Sequence, residues 1–202
     1  MAETKHFMIS FGKFELYHNI VGTSQSVLFN LNSKNSAYFP VVGPESYERI
    51  GDKIHIPGWQ VNLLFGQKYD RPNVTFRLLI IEHDDMDGTY NAIMRGATQN
   101  CLLDIVDRNV CKVLLDRTIK KPYGAVNNTG DPLTDVTREN TFKYSVFVPA
   151  PTKKYLFKLS SGFDHNNKTV SVCVYAYDAY GSLSTDNIGY VQAGLFYKYK
   201  DL

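Results

Sequence analysis

The sequence predicts an all-β fold of eight antiparallel strands, and three observations carry that expectation. The chain holds 14 Tyr and 12 Phe beside abundant Val and Thr, residues that suit pleated, half-buried surfaces. Apolar side chains recur at every second position through much of its length, and no segment sustains an i, i+3, i+4, i+7 pattern. The connections are long and rich in turn residues, above all 18–49, 84–108 and 120–140. Up-and-down barrels use mostly short hairpins. Loops this long and unequal favour a jelly roll of two facing four-stranded sheets, with at most short helices.

Taken in order, residues 5–17 form the first expected strand. His55 stands between Ile54 and Ile56, the setting of an ordinary strand histidine rather than a metal ligand. After the Pro57-Gly58 break, Trp59, Val61, Leu63 and Phe65 alternate with Gln60, Asn62 and Leu64. Val74, Phe76, Leu78 and Ile80 alternate with Thr75, Arg77, Leu79 and Ile81, apolar on one face and mixed on the other. Residues 110–119 place Val113 and Leu115 opposite Lys112 and Asp116. Phe142, Tyr144, Val146 and Val148 then alternate with Lys143, Ser145 and Phe147, and Tyr155, Phe157 and Leu159 follow with Lys154 and Lys158. Val170, Val172, Val174 and Ala176 form the seventh strand, and Val191, Ala193, Leu195, Tyr197 and Tyr199 the eighth. Helix is expected at most as one turn at residues 43–48 and a short piece within 92–106.

A length of 202 residues suits a single domain over 1–202, large enough to bury roughly 70% of the surface its unfolded chain exposes. No metal or disulfide staple is required. With 44% hydrophobic and 21% charged residues, the composition excludes a disordered chain. The formal net charge is only +2, and the longest basic runs are the doublets Lys120-Lys121 and Lys153-Lys154. A strongly cationic nucleic-acid binder is thereby excluded, a local basic patch is not. No apolar run reaches the ~20 residues of a membrane-spanning helix, so no membrane partner is expected. The first residues lack a signal-peptide hydrophobic region, which predicts an unsecreted protein or a targeting signal outside this sequence. Cys101, Cys111 and Cys173 are odd in number and make no C-x-x-C pair. They are expected to be buried, reduced thiols.

A search for catalytic groups finds none. His6, His18, His55, His83 and His165 form no H-x-x-x-H pair, and the chain has neither a G-x-S-x-G elbow nor a phosphate-binding glycine loop. The stretch Glu82-His83-Asp84-Asp85-Met86-Asp87-Gly88 is rich in oxygen ligands but lacks the rest of a calcium-binding loop, so a solvated loop is expected. Asp104, Asp107 and Asp116 are the only clustered acids, and periodicity gives them no shared pocket. No enzymatic activity, cofactor or metal is expected. A cellular binding module on the same fold, lectin-like or cytokine-like, is the alternative; unpaired cysteines and the lack of a secretion signal weigh against it.

The order of several motifs resembles a family. Glu48-Arg49-Ile50-Gly51-Asp52-Lys53-Ile54-His55-Ile56 leads into the first long strand, followed by Phe76-Arg77-Leu78-Leu79-Ile80-Ile81, Val113-Leu114-Leu115-Asp116 and Asn140-Thr141-Phe142-Lys143. The chain closes on Gly194-Leu195-Phe196-Tyr197-Lys198-Tyr199-Lys200-Asp201. From about residue 5 to its end this succession is similar to the capsid proteins of circovirus-like viruses, which carry circular single-stranded DNA.

The resemblance implies a viral jelly-roll coat protein, found in the virion and in the host nucleus or cytoplasm during assembly. Such a protein partners itself in a small icosahedral shell, T=1, and holds single-stranded DNA or RNA on the inner surface. Loops 18–49, 84–108, 149–154 and 178–188 would gather around the fivefold axes, while 66–72, 120–140 and 161–168 would cover the outside. An assembling subunit displays aromatic surface on ordered loops, which nominates Tyr38, Phe39, Tyr47, Tyr90, Tyr123 and Tyr180 for subunit contacts. Members of the family typically begin with an arginine-rich arm. Here the first twenty residues carry only Lys5 and Lys13, so the arm is expected to be truncated or, as the alternative, absent from this lineage, and genome binding to be weakened. The remaining nucleic-acid candidates are Lys5, Lys13, Lys198 and Lys200, with Arg77 joining them if the mixed face of its strand looks into the shell. Tyr197 and Tyr199 are expected in the core.

Overall fold

A computed structural model describes residues 4–19, 27–31, 40, 42–43, 48–50, 53–68, 71, 73–84, 93–95, 100–120, 141–151, 154–158, 162–164, 168–179, 183 and 185–201. The described residues form strands and turns only. The strands are β1 (Thr4–Tyr17), β2 (Val27–Asn30), β3 (Lys53–His55), β4 (Gly58–Gln67), β5 (Val74–Asp84), β6 (Met94–Arg95), β7 (Ile105–Val106), β8 (Cys111–Ile119), β9 (Thr141–Pro149), β10 (Lys154–Lys158), β11 (Gly162–Asp164), β12 (Lys168–Asp178) and β13 (Asn187–Asp201).

Pairing is nested. The first strand pairs with the last, β1 with β13, and β2 pairs with β12. Next inward, β4 pairs with β9 and β3 with β10, and at the centre β5 pairs with β8. β3 and β4 are two parts of one long strand broken at Pro57-Gly58, because β13 pairs with β4 through Gln60 and then with β3 at His55. Likewise β9 and β10 form one bent strand along the same neighbours. Counted this way, eight strands lie in two sheets, β1–β13–β3/β4–β9/β10 and β2–β12–β5–β8, with β11 added beside β10. Wrapping of this kind defines the jelly roll.

The eight expected strands were thus nearly those observed, with one omission and one double count. β2 spans only four residues, too short for alternation to show. The expected pair 142–148 and 155–159 is a single bent strand.

Between the sheets lies one core. Trp59, Val61, Leu63 and Phe65 of β4, Val191, Leu195, Tyr197 and Tyr199 of β13, and Val170, Val172 and Val174 of β12 are all buried in it. In β1 the inward set Phe7, Ile9 and Phe11 changes parity at a bulge between Ser10 and Lys13, so that Phe14 and Leu16 also face inward. Phe11 stacks on Phe29 of β2 at 4.1 Å between centroids, closing that edge.

A second, smaller core covers the other face of β5 and β12. Leu79, Ile81, Cys173 and Tyr175 meet Ile93, Met94, Cys101, Val106 and Cys111, all buried. The segment expected to hold a short helix is instead the β6–β7 hairpin with a turn at 101–103, laid over the sheet. All three thiols are free and buried there. Burial pushes Cys101 and Cys173 up to about 12. Of the helical turn expected at 43–48, residues 44–47 lie outside the described residues, as does the acidic stretch 85–88.

The nested pairing also corrects the expected grouping of loops. Tyr17 of β1 faces Asn187, Gln67 faces Gly189, and Gly66 faces Thr141. The connections 18–26, 68–73, 120–140 and 179–186 therefore start or finish at one end of the jelly roll. Of the expected end loop 149–154, the described residues 149–151 and 154 lie where β9 passes into β10, within one strand and not at an end of the jelly roll. At this end Arg71 pairs with Asp178 (3.6 Å) and Asp186 (3.2 Å), and the His18 N–H of the backbone donates to the Asp186 carbonyl at 2.9 Å. The His18 ring is buried against Tyr177, and its Nδ1 accepts the Asp178 backbone N–H at 3.1 Å. Burial holds this imidazole below its ordinary 6.5. The unfolded chain then binds a proton on falling through that value that the folded chain refuses, so the contribution of His18 is full above pH 6.5 and is lost below it. The melting temperature is expected to fall between pH 7.5 and 5.5, and His18→Gln is expected to flatten that fall; equal slopes for both proteins would refute this.

Candidate nucleic-acid interface

The outer face of the β1–β13–β4–β9 sheet follows from period-2 geometry. When one set of side chains enters the core, the alternate set faces out. Register places these in rows across the strands: Met8, Phe196, Gln60 and Phe147; then Ser10, Gly194, Asn62 and Ser145; then Lys13, Gln192, Leu64 and Lys143. Beyond the first row His6 pairs with Lys198, and Lys200 lies between Thr4 and His55. Lys53 shares the exposed side of β3 with His55.

Charge is concentrated here. Lys13, Lys53, Lys143, Lys198 and Lys200 are all exposed on this face, against one carboxylate, Glu15. Lys13 and Glu15 satisfy each other at 2.8 Å. That hydrogen bond, with a second from Asn187, holds the Glu15 carboxyl below its ordinary range, and Glu15 holds the Lys13 ammonium above its own. The Lys13 ammonium also lies 4.4 Å from the centroid of the Tyr190 ring, whose outer edge lies against Gly66, where a Cβ would overlap it. Lys53, Lys143, Lys198 and Lys200 have no ion pair among the described residues. A chain of net charge +2 thus carries four uncompensated cations on one sheet face.

Rings are interleaved with these cations. Phe147 is 54% exposed, and Phe196 stacks with His6 at 5.7 Å. Two depressions follow the rows. One of about 250 Å³ is lined by Pro57, Gly58, Gln60, Phe147, Phe196 and Lys198, with Tyr197 behind. The other, about 300 Å³, lies over the small residues Ser10 and Gly194 beside Asn62, Lys143 and Gln192. Cations for phosphates and exposed rings for unpaired bases are the two components of a single-strand binding surface.

Of the sequence-predicted residues, Lys13, Lys198 and Lys200 come together on this face. Two others do not. Lys5 is buried; its ammonium donates to the Glu48 carbonyl at 2.6 Å and pairs with Asp201 at 3.2 Å, tying the chain before β3 to the end of β13. Arg77 is also buried, because the mixed face of β5 is covered by residues 93–95 and 100–106. Its guanidinium pairs with both carboxylate oxygens of Asp116 (2.9 and 2.7 Å) and donates to the carbonyls of Cys101 (2.9 Å) and Asp104 (2.6 Å). It clamps the β6–β7 segment with four of its five N–H donors committed to Asp116 and these carbonyls, buried away from the cationic sheet face. Lys53, Lys143, Phe147 and Gln60 belong to the face but were missed, since only pairing register brings them beside β13; Phe196 was missed although alternation within β13 already sets it with Lys198 and Lys200. Tyr38, Phe39, Tyr47, Tyr90, Tyr123 and Tyr180, expected at subunit contacts, all lie outside the described residues.

No family model matches the chain, and no curated protein matches it. Among solved structures it is similar to a chain of a semi-empty virus-like particle of the giant freshwater prawn Macrobrachium rosenbergii nodavirus. That similarity covers 100% of this chain and 83% of the other, with a TM-score of 0.43 and 7% identity.

Proposed function

We propose that the chain is a structural, non-enzymatic capsid protein whose copies close into a small icosahedral T=1 shell around circular single-stranded DNA. The observation that carries this reading is the segregation of unpaired lysines and exposed rings onto the outer face of one sheet of a jelly roll. Turned toward the interior of a shell, that face repeats a phosphate- and base-binding surface in every copy. The resemblance of the sequence to circovirus-like capsid proteins points the same way. Exposed apolar residues elsewhere supply surface for subunit contacts: Leu103 and Ile105 (67% and 72% exposed) on the β6–β7 segment, and Val42 and Ile50 (58% and 73%) before β3.

The test is assembly. Purified protein passed over a size-exclusion column is expected to elute in the void as uniform closed particles by negative-stain microscopy. A stable 23.0 kDa species across salt and pH would overturn the reading and leave a monomeric binding module. Binding to single strands is expected to weaken with salt at about −0.7 in log K per log salt for each phosphate neutralised, hence a slope near −3 for four lysines. Lys198→Gln with Lys200→Gln is expected to reduce that slope by about 1.4, and an unchanged slope would remove both lysines from the contact.

A further inference from the structure

The 250 Å³ depression on the cationic face has features that a phosphate-binding surface does not need. Phe196, Gln60 and Phe147 stand side by side on β13, β4 and β9. Their backbones are one strand spacing apart, so the two rings start from positions about 9–10 Å from each other with Gln60 midway. Phe147 leans over β4: a Cβ on Gly58 would sit 2.5 Å from its Cζ, so glycine there is what lets the ring reach the depression. Behind Phe196 its other face is taken by His6. The Gln60 amide has no hydrogen-bond partner among the described residues. Lys198 closes the rim.

We infer that this depression holds one unpaired base of a single-stranded nucleic acid, stacked against Phe196 and Phe147, with the Gln60 amide on its edge and Lys198 on an adjoining phosphate. The inference rests on the nucleic-acid face of the proposed function. Chemistry selects the occupant. A volume of about 250 Å³ falls below the roughly 300–1,000 Å³ that encloses a whole small ligand, which suits a single flat ring. Aromatic groups stack with centroids ~4.5–7 Å apart, so one planar ring between the two phenylalanines can touch both. The unpaired Lys198 at the rim favours a ring that carries an anion beside it. Every base presents an adjacent donor and acceptor on its edge, and an amide offers one of each. The site therefore takes any base, as a protein covering a whole genome requires.

The experiment measures binding of the full-length chain to fluorescent 10-nucleotide DNA strands of thymidine, of adenosine and of abasic sugar-phosphate, with a uridine RNA strand of the same length. Thymidine and adenosine strands are expected to bind within threefold of each other, and the abasic strand about tenfold or more weaker. Phe147→Ala, at a half-exposed position, is expected to weaken thymidine binding at least fivefold and to leave abasic binding unchanged. Gln60→Glu is expected to weaken both base-bearing strands. If abasic and thymidine strands bind equally, the base site is refuted while the phosphate-binding face stands. If no strand binds, both fall together. Equal binding of uridine RNA identifies the base and phosphate as the recognised parts; preference for either sugar larger than tenfold would refute a site built on those two alone.

Discussion

Phe76→Ala is expected to cost ~3–5 kcal/mol of folding stability, the cost of truncating a fully buried aromatic ring. Phe76 is buried between the sheets, 4.9 Å from the Phe65 ring and 5.9 Å from that of Phe142, which are themselves stacked at 5.1 Å. These three rings join β5 to β4 and β9, and hence one sheet to the other. Removing the Phe76 ring leaves a cavity that neither pleated sheet can collapse into. Phe76→Leu, which keeps most of the volume, is expected to cost only ~1 kcal/mol. Urea unfolding monitored by circular dichroism measures both. A loss below 1 kcal/mol for the alanine variant would show that the rings do not bridge the sheets.

The next residue along the same strand controls the other core. Arg77→Met is expected to destabilise the protein by ~2–4 kcal/mol, because it strands the buried carbonyls of Cys101 and Asp104 at ~1–3 kcal/mol each. The Asp116 side chain is 36% exposed and regains water, so the larger penalty of a buried orphan charge does not apply. The effect is expected to be local. With the clamp gone, residues 93–95 and 100–106 lift from β5 and β12 and uncover Cys101, whose burial otherwise holds the thiol up to about 12. Labelling by a thiol reagent is expected to accelerate at least tenfold while the far-ultraviolet spectrum stays native. In Phe76→Ala, by contrast, labelling and loss of secondary structure are expected to rise together. Labelling unchanged in Arg77→Met would mean that apolar contacts alone hold the segment down.

These neighbouring residues also show how much was legible beforehand. Alternation in 74–81 predicted a strand with one apolar and one mixed face, and the strand is there. The mixed face suggested exposure. A covering segment cannot be foreseen from period-2 spacing, because nothing in residues 93–106 alternates for long enough to announce a partner. Arg77 was therefore assigned to nucleic acid when its guanidinium is engaged by backbone carbonyls distant in sequence. Lys5 failed for the same reason, since its partner Asp201 is the last residue of β13. Lys198 and Lys200 lie on an exposed face because alternation within β13 sets them apart from the buried Tyr197 and Tyr199, whereas Lys13 faces outward only through the bulge that reverses the parity of β1.

Sequence alone determined the all-β class, most of the strands, their buried faces and the burial of the three thiols. Each of these depends on local periodicity and on which side chains leave water. The tertiary structure decided which strands are neighbours, and with that everything that depends on neighbours: the bend that makes β9 and β10 one strand, the two-ended grouping of loops, the second core, and the row of Phe196, Gln60 and Phe147. Hydrogen bonding between strands far apart in the chain carries no signature in either strand. A nearly neutral sequence can therefore fold into a molecule with one strongly cationic face, because net charge is a sum over residues and a surface is a selection among them.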